Sequence, residues 1–239
     1  YESQLKKLFE SDFIYPKKFK NEILARINLG LKDVSVSRTN FSWGVELPFD
    51  KKHVVYVWFD ALLNYLSGIE EKNYWPATHL LGKDILWFHV VYWPAILLAL
   101  GKDIPKFFVH GWWTVDSQKM SKSLGNVVSI DTLAKYGIDV SRYYLIKQMP
   151  YGEDADFNTN YFEERYLELA NNLGNLINRV AIISQKNELD LTKNYELDKE
   201  ILENTELTIN KVIGDLEIFK LQDSLNDIMA YSQFLNRYI

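Results

Sequence analysis

Cysteine is absent from the 239 residues. That excludes disulfides, and four histidines scattered along the chain make a structural zinc site an unlikely use of them, so no metal site is expected. Long hydrophobic runs are missing too. The longest spans 90–100 even when Pro94 is counted in, well short of the roughly 20 apolar residues that cross a bilayer. The opening YESQLKKLFE has no signal-peptide layout. No membrane partner is expected, and a cytoplasmic address fits. Net positive charge is lacking as well: the formal charge is −5. Non-specific nucleic-acid binding depends on phosphate neutralisation, so DNA is not an expected partner, although a local basic surface for one particular RNA remains open. What the chain does have is ring. Trp, Tyr and Phe number 7, 15 and 13, within a hydrophobic share of 47% and a charged share of 25%. Such a composition belongs to a soluble globular protein with a large core or a pocket walled by flat faces.

The pattern divides the chain. Helical spacing covers 1–10 and 21–27, separated by Pro16 and the lysines Lys17, Lys18 and Lys20, while 37–52 is rich in turn formers and reads as irregular. From residue 53 strand and helix alternate: a β-branched and aromatic strand at 53–59, a short helix at 61–69, and a strand at 78–82. A long helix at 84–100, kinked by Pro94, and a strand at 106–111 follow. Strands joined by helical crossovers imply a Rossmann-like parallel sheet in an α/β unit. Beyond Gly152 the character changes to all-α. Phe162, Tyr166, Leu169, Leu173, Ile177 and Val180 recur at helical intervals, and amphipathic patterns cover 198–213 and 216–235. Because the first residues read as mid-helix and the last follow a helix directly, the chain is expected to be a piece of something longer.

The segment HGWWTVDSQKMSKSLGNVVS, 110–129, carries the strongest chemical signal. Lys119, Ser121, Lys122 and Ser123 crowd one loop after a strand, and Gly125 can supply an unusual backbone angle. Mobile cations and hydroxyls at the end of a strand suit a triphosphate; an exposed polar turn is the plain alternative. At the end of strand 78–82, Gly82 and Asp84 bring a carboxylate to the sheet edge, where it can accept from a ribose or merely cap a helix. His89 and Trp93 lie four residues apart and so share a helical face, with Ile85 one turn earlier. Trp58 and Tyr65 arrive from the neighbouring strand-helix turn. Taken singly, each is more readily a core residue. Together they offer an aromatic hollow with one imidazole, and a polarizable thioether suits aromatic edges.

These residues carry a resemblance. The loop Lys119-Met120-Ser121-Lys122-Ser123 resembles the KMSKS signature of class I aminoacyl-tRNA synthetases. YVWFDALLNYL (56–66) and GKDILWFHVVYWP (82–94) are similar to segments of the methionyl-tRNA synthetases. The resemblance implies that Lys119 and Lys122 contact ATP phosphates, Lys122 above all in the transition state, with Ser121 and Ser123 shaping the loop. It implies that Gly82 and Asp84 hold ribose, and that Trp58, Ala61, Tyr65, Ile85, His89 and Trp93 line a methionine pocket. VSRTNFSWGVELP (36–48) looks like the stretch re-entering the catalytic domain, with Arg38 facing an acidic partner. LANNLGNLINRV (169–180) is similar to the opening helix of the anticodon-binding bundle, so Asn171, Asn175 and Arg179 would reach tRNA bases; a solvated polar face is the alternative.

The implied organisation is the tail of a connective insertion at 1–33, the C-terminal half of a Rossmann catalytic domain at 34–152, and the start of a helical anticodon-binding domain at 153–239. The implied activity is ATP- and Mg²⁺-dependent activation of methionine, followed by its transfer to tRNA(Met). Another class I synthetase, or a non-catalytic RNA-binding module of synthetase descent, is the rival. The family's His-x-Gly-His signature surrounds none of His53, His79, His89 or His110. The implied reading is that this half sits elsewhere in the parent chain, and that these residues alone do not activate methionine.

Overall fold

Proline and short apolar runs decide where the first elements begin. The computed structural model describes residues 1–69, 74–190, 192–196 and 198–239. Helix α1 (Glu2–Leu8) buries Leu5, and the extended segment β1 (Ile14–Tyr15) leads to α2 (Lys17–Asn28). Pro16 is the N-cap of α2, so Lys17, Lys18 and Lys20 lie inside the helix rather than in the separating loop read from sequence. A proline at a helix start gives up a donor that has no intrahelical acceptor in any case. Phe19, Ile23 and Ile27 recur at four-residue intervals and are the buried face of α2.

The stretch expected to be irregular contains β2 (Ser37–Arg38) and β3 (Glu46–Leu47), which flank β4 (Asp50–Val55) in an antiparallel sheet of order β2-β4-β3. This corrects the strand expected at 53–59. The chain leaves β4 at Val55, and α3 (Val57–Ser67) takes up the aromatic residues after an extended Tyr56. A short apolar run fits either period; here Asp60 in the first turn and Leu62 on the core side match a helix.

Strand β5 (Thr78–Gly82) lies where expected. The single helix expected over 84–100 is instead three pieces: a 3₁₀ turn Lys83–Ile85, a π turn Phe88–Tyr92, and α4 (Trp93–Ala99). Pro94 explains the change. It cannot donate to the carbonyl four residues back, and the widened turn before it lets Trp93 N–H reach Phe88 O. β6 (Lys106–His110) then pairs in parallel with β1, Ile14 opposite Phe107, giving the sheet order β1-β6-β5. The parallel sheet thus draws its third strand from the N-terminal segment, not from 53–59. Phe9, Ile14, Trp93, Leu97, Phe107 and Val109 form its core, and this first compact unit spans Tyr1–Val109.

The second unit spans His110–Ile239. Here β7 (Trp113–Val115) and β8 (Gln118–Lys119) form a hairpin. Helices α5 (Ile130–Ala134) and α6 (Ile138–Gln148) follow, and then β9 (Ala155–Asp156), which pairs in parallel with β7. Tyr144, Phe157 and Phe162 are the core here, with Trp113 stacked on Tyr144 at 5.9 Å. The rest is helical: α7 (Thr159–Leu169), a π turn Ala170–Gly174, α8 (Asn175–Lys186), α9 (Lys199–Glu217) and α10 (Leu221–Tyr238). The break expected at 213–216 falls instead after Glu217, at Phe219, whose φ is 61°. The fold is therefore α/β with a parallel sheet, followed by an all-α region.

Gly111 marks a close backbone approach. A Cβ there would sit 2.0 Å from the Glu153 carbonyl oxygen and 2.6 Å from the Asp154 nitrogen. The two segments are tied on either side, since Trp112 N–H donates to Asp154 Oδ1 (2.8 Å) and Ala155 N–H to Trp112 O (2.9 Å). Gly111→Ala is expected to cost at least about 2 kcal/mol, because backbone rather than a flexible side chain must move. A thermal melt measures it, and a midpoint within a degree or so of the parent would contradict the reading.

Candidate active site

The expected aromatic residues form a cluster built by two elements of the first unit. On α3, Trp58, Ala61 and Tyr65 are spaced by three and four residues and share a face. Facing them, the 3₁₀ and π turns carry Ile85 and His89, and α4 opens with Trp93. His89 Nδ1 lies 3.0 Å from Ile85 O, and its Nε2 lies 3.0 Å from Tyr65 Oη. A carbonyl oxygen only accepts. Nδ1 of the neutral ring therefore carries the proton, and Nε2 accepts from the Tyr65 hydroxyl. Trp58 meets His89 edge-on at 5.7 Å and stacks on Phe88 at 4.1 Å, while Tyr65 lies 6.0 Å from Trp93. The structure thus brings Trp58, Tyr65, His89 and Trp93 together. His89 and Trp93 are 3% and 0% exposed whereas Tyr65 is 40% exposed, so the cluster is buried at His89 and Trp93 and reaches the surface at Tyr65.

Burial lowers the His89 pKa against the upward pull of the Ile85 carbonyl, and burial raises that of Tyr65. Both groups are neutral near neutral pH. The walls are accordingly uncharged, and they suit an apolar, polarizable side chain while penalising an ionised one.

Other expected positions are simpler. Gly82 ends β5 and occupies the cap position of the following turn, and the Asp84 carboxylate is exposed on that turn, so Asp84 is not the helix cap. Arg38 stacks over Tyr56 at 3.7 Å and donates to the Ser35 and Ser37 carbonyls (2.9 and 2.8 Å).

In the second unit, the loop after β8 is a scaffolded turn. Asp116 and Ser117 make the hairpin turn with φ of 50° and 61°, and Asp156 Oδ1 braces it by accepting from Thr114 Oγ1 (2.6 Å) and Ser117 N–H (2.9 Å). Those same bonds, led by Thr114, hold the Asp156 carboxyl below its usual range. Ser121 caps the 3₁₀ turn Lys122–Leu124, accepting from Leu124 N–H at 3.2 Å, and its hydroxyl lies 3.1 Å from that of Ser123. Asn126 accepts from Ser121 N–H (2.8 Å) and donates to Lys119 O (3.3 Å), and Gly125 closes the turn at φ 67°. Lys119 Nζ rests 3.9 Å over the Trp112 ring, whereas Lys122 is exposed on the turn. Sequence reasoning gave no part to Asn126, Asp156 or Trp112. Asp156 is 39 and 42 residues along the chain from Ser117 and Thr114, a separation that no local pattern signals.

Further along, Asn171, Asn175 and Arg179 line one cleft of about 550 Å³ with Glu164, Gln233, Asn236 and Arg237. Asn171 sits within the π turn Ala170–Gly174 and Asn175 and Arg179 on α8, yet all three reach the cleft.

Residues 1–181 match the family model described as tRNA synthetases class I (M). The chain belongs to this family. Among curated members of the class I tRNA synthetases, it is 42% identical to a methionine--tRNA ligase of Clostridium perfringens over 245 residues, 95% of this chain and 38% of that one. It is 41% identical to that of Halalkalibacterium halodurans, over 100% of this chain and 39% of the relative. The chain therefore spans about two fifths of these relatives' lengths. It also superposes on the structure of Mycobacterium tuberculosis methionyl-tRNA synthetase in complex with methionyl-adenylate. The TM-score is 0.88 and the identity 36%, covering all of this chain and 50% of that one. No helix among the described residues is long and apolar enough to cross a membrane.

One acid-base consequence follows from the buried part of the cluster. His79, beside Tyr65 at 4.4 Å and stacked on Phe107 at 5.2 Å, is lowered from 6.5 to about 4 by burial, with a smaller push from His89. The unfolded chain takes up these protons near pH 6.5 while the folded state stays neutral, so stability falls as pH drops from 6.5 toward about 4. His79 contributes at most roughly 3 kcal/mol of that loss. His79→Phe, which retains a ring against Phe107, is expected to flatten the fall of the urea-unfolding midpoint across this window. A slope identical to the parent's would show that His79 does not titrate as described.

Proposed function

We propose that the parent protein is a methionine--tRNA ligase. The convergence of Trp58, Tyr65, His89 and Trp93 into one neutral aromatic cluster carries the reading. Trp58, Ala61, Tyr65, Ile85, His89 and Trp93 bind the methionine side chain. Gly82 and Asp84 hold the ribose of ATP, Lys119 and Lys122 its phosphates, and Ser121 and Ser123 keep the loop in shape. Arg38 supports the site from β2. In the organisation we infer, 1–33 is the tail of an insertion, 34–152 the C-terminal half of the catalytic domain and 153–239 the start of the anticodon-binding domain. Asn171, Asn175 and Arg179 contact the anticodon of tRNA(Met). A cytoplasmic setting fits the reaction.

The chemistry is in-line attack of the methionine carboxylate on the α-phosphate of ATP, with loss of pyrophosphate, and then transfer of methionine from the adenylate to the 3′ end of the tRNA. Neither step needs a covalent enzyme intermediate, so positioning and charge stabilisation suffice. Among the described residues no three His, Cys, Asp or Glu gather as a metal site. A Mg²⁺ carried on ATP phosphates needs no such cage, and it would share the phosphate charge with the two lysines. An exposed lysine on a turn fixed by Ser121 and Asn126 can follow that charge as it shifts to the leaving pyrophosphate.

Lys122→Ala in the full-length enzyme is expected to slow methionyl-adenylate formation by well over tenfold, equivalent to about 3 kcal/mol for one such donor, with little change in methionine affinity. Single-turnover adenylate formation measures it. An unchanged rate would reduce the loop to a surface turn.

A further inference from the structure

The cleft between the π turn, α8 and α10 is organised by a residue to which the family resemblance gives no role. Asn236, in the last turn of α10, donates through Nδ2 toward Asn172 O (3.0 Å), Asn172 Oδ1 (3.2 Å) and Ser232 O (3.1 Å). Its Oδ1 accepts from Asn175 Nδ2 (3.3 Å), and its backbone carbonyl accepts from Arg179 Nη1 (2.6 Å). Three acceptors around the amide nitrogen fix its orientation, because the flipped amide would set oxygen against oxygen. Asn172 is buried in turn and donates to Met229 O at 3.0 Å, so the hub is anchored to α10 at two levels.

The arrangement has the form of a reader held by a support. An exposed asparagine and arginine left to themselves sample many rotamers, and ordering them on binding erodes both affinity and selectivity. Here both are held before any ligand arrives, by one residue on the facing helix. The cleft's two carboxylates are engaged by cations, Glu168 by Lys147 (3.4 Å) and Arg165, and Glu164 by Arg165 (3.6 Å), while Arg179 and Arg237 also stand at the cleft, a balance that admits an anionic strand. The volume of about 550 Å³ admits an unstacked nucleotide, the form in which RNA bases expose their hydrogen-bonding edges.

We propose that Asn236 is a positioning residue for RNA reading: clamped by Asn172, it sets the geometry with which Asn175 and Arg179 meet an anticodon base. This rests on the assignment of the cleft to tRNA given above. Asn236 does not itself touch the reacting groups and acts through its two partners.

The test uses the full-length enzyme with tRNA(Met) and with the same tRNA carrying a substituted anticodon nucleotide. The readout is the ratio of the two aminoacylation kcat/KM values, normalised to methionine-dependent pyrophosphate exchange of the same preparation. Asn236→Ala is expected to shrink the ratio about tenfold, and combination with Asn175→Ala to shrink it no further than the worse single change. Asn236→Asp, equal in size but without the amide donors, is expected to shrink it as well, and it decides the matter if the alanine variant does not fold. A ratio unchanged in the Asn236 variants, while Arg179→Ala collapses it, overturns the positioning role and leaves the RNA site standing. Additive losses in the double variant overturn it equally. If Asn175→Ala and Arg179→Ala also leave the ratio intact, the RNA assignment fails, and the proposal falls with it.

Discussion

A single proton orders the aromatic cluster. Because Ile85 O can only accept, it fixes the proton of His89 on Nδ1, and Nε2 becomes the acceptor that orients the Tyr65 hydroxyl. Each neighbour then follows: Trp58 meets the imidazole edge, and Tyr65 is turned toward Trp93. Charging the imidazole would remove the acceptor that Tyr65 uses. Burial prevents that by holding His89 neutral. The same requirement of low polarity extends to His79, buried beside Tyr65.

Backbone geometry makes this contact possible. The π turn Phe88–Tyr92 inserts an extra residue ahead of Pro94, so His89 is displayed from a widened turn and Trp93 from the start of α4. A second π turn, Ala170–Gly174, stands beside the cleft that holds Asn171, Asn175 and Arg179. Both lie at proposed binding sites, where such turns often occur. In the second case the turn also buries Asn172, the anchor of Asn236.

Much of this was legible in the residue order, for identifiable reasons. Strand β5 is a short run with two leucines ending in glycine, β6 an aromatic and β-branched run opening on Lys106, and both form where expected. The spacing of His89 and Trp93 survived because a four-residue step keeps two side chains near one another in an α- or a π-turn alike. The run 53–59 misled because six apolar or aromatic residues after His53 fit both periods, and only the extended Tyr56 separates strand from helix. Pairing of β1 with β6 joins residues more than ninety positions apart, and the Asp156 brace and the Asn236 hub are likewise long-range. Local pattern has no access to these. In the KMSKS-like loop the charges were plain, yet the Asn126 and Ser121 bonds that shape it appear only in three dimensions.

In the proposed methionine site, the Tyr65–His89 hydrogen bond sets the arrangement of the aromatic rings. Tyr65→Phe in the full-length enzyme removes only the hydroxyl and leaves a buried acceptor on His89 unsatisfied, at a cost of about 1–3 kcal/mol. Steady-state pyrophosphate exchange should then show KM for methionine raised about tenfold, with KM for ATP unchanged. Equal rises in both constants, or no change in either, would contradict the account.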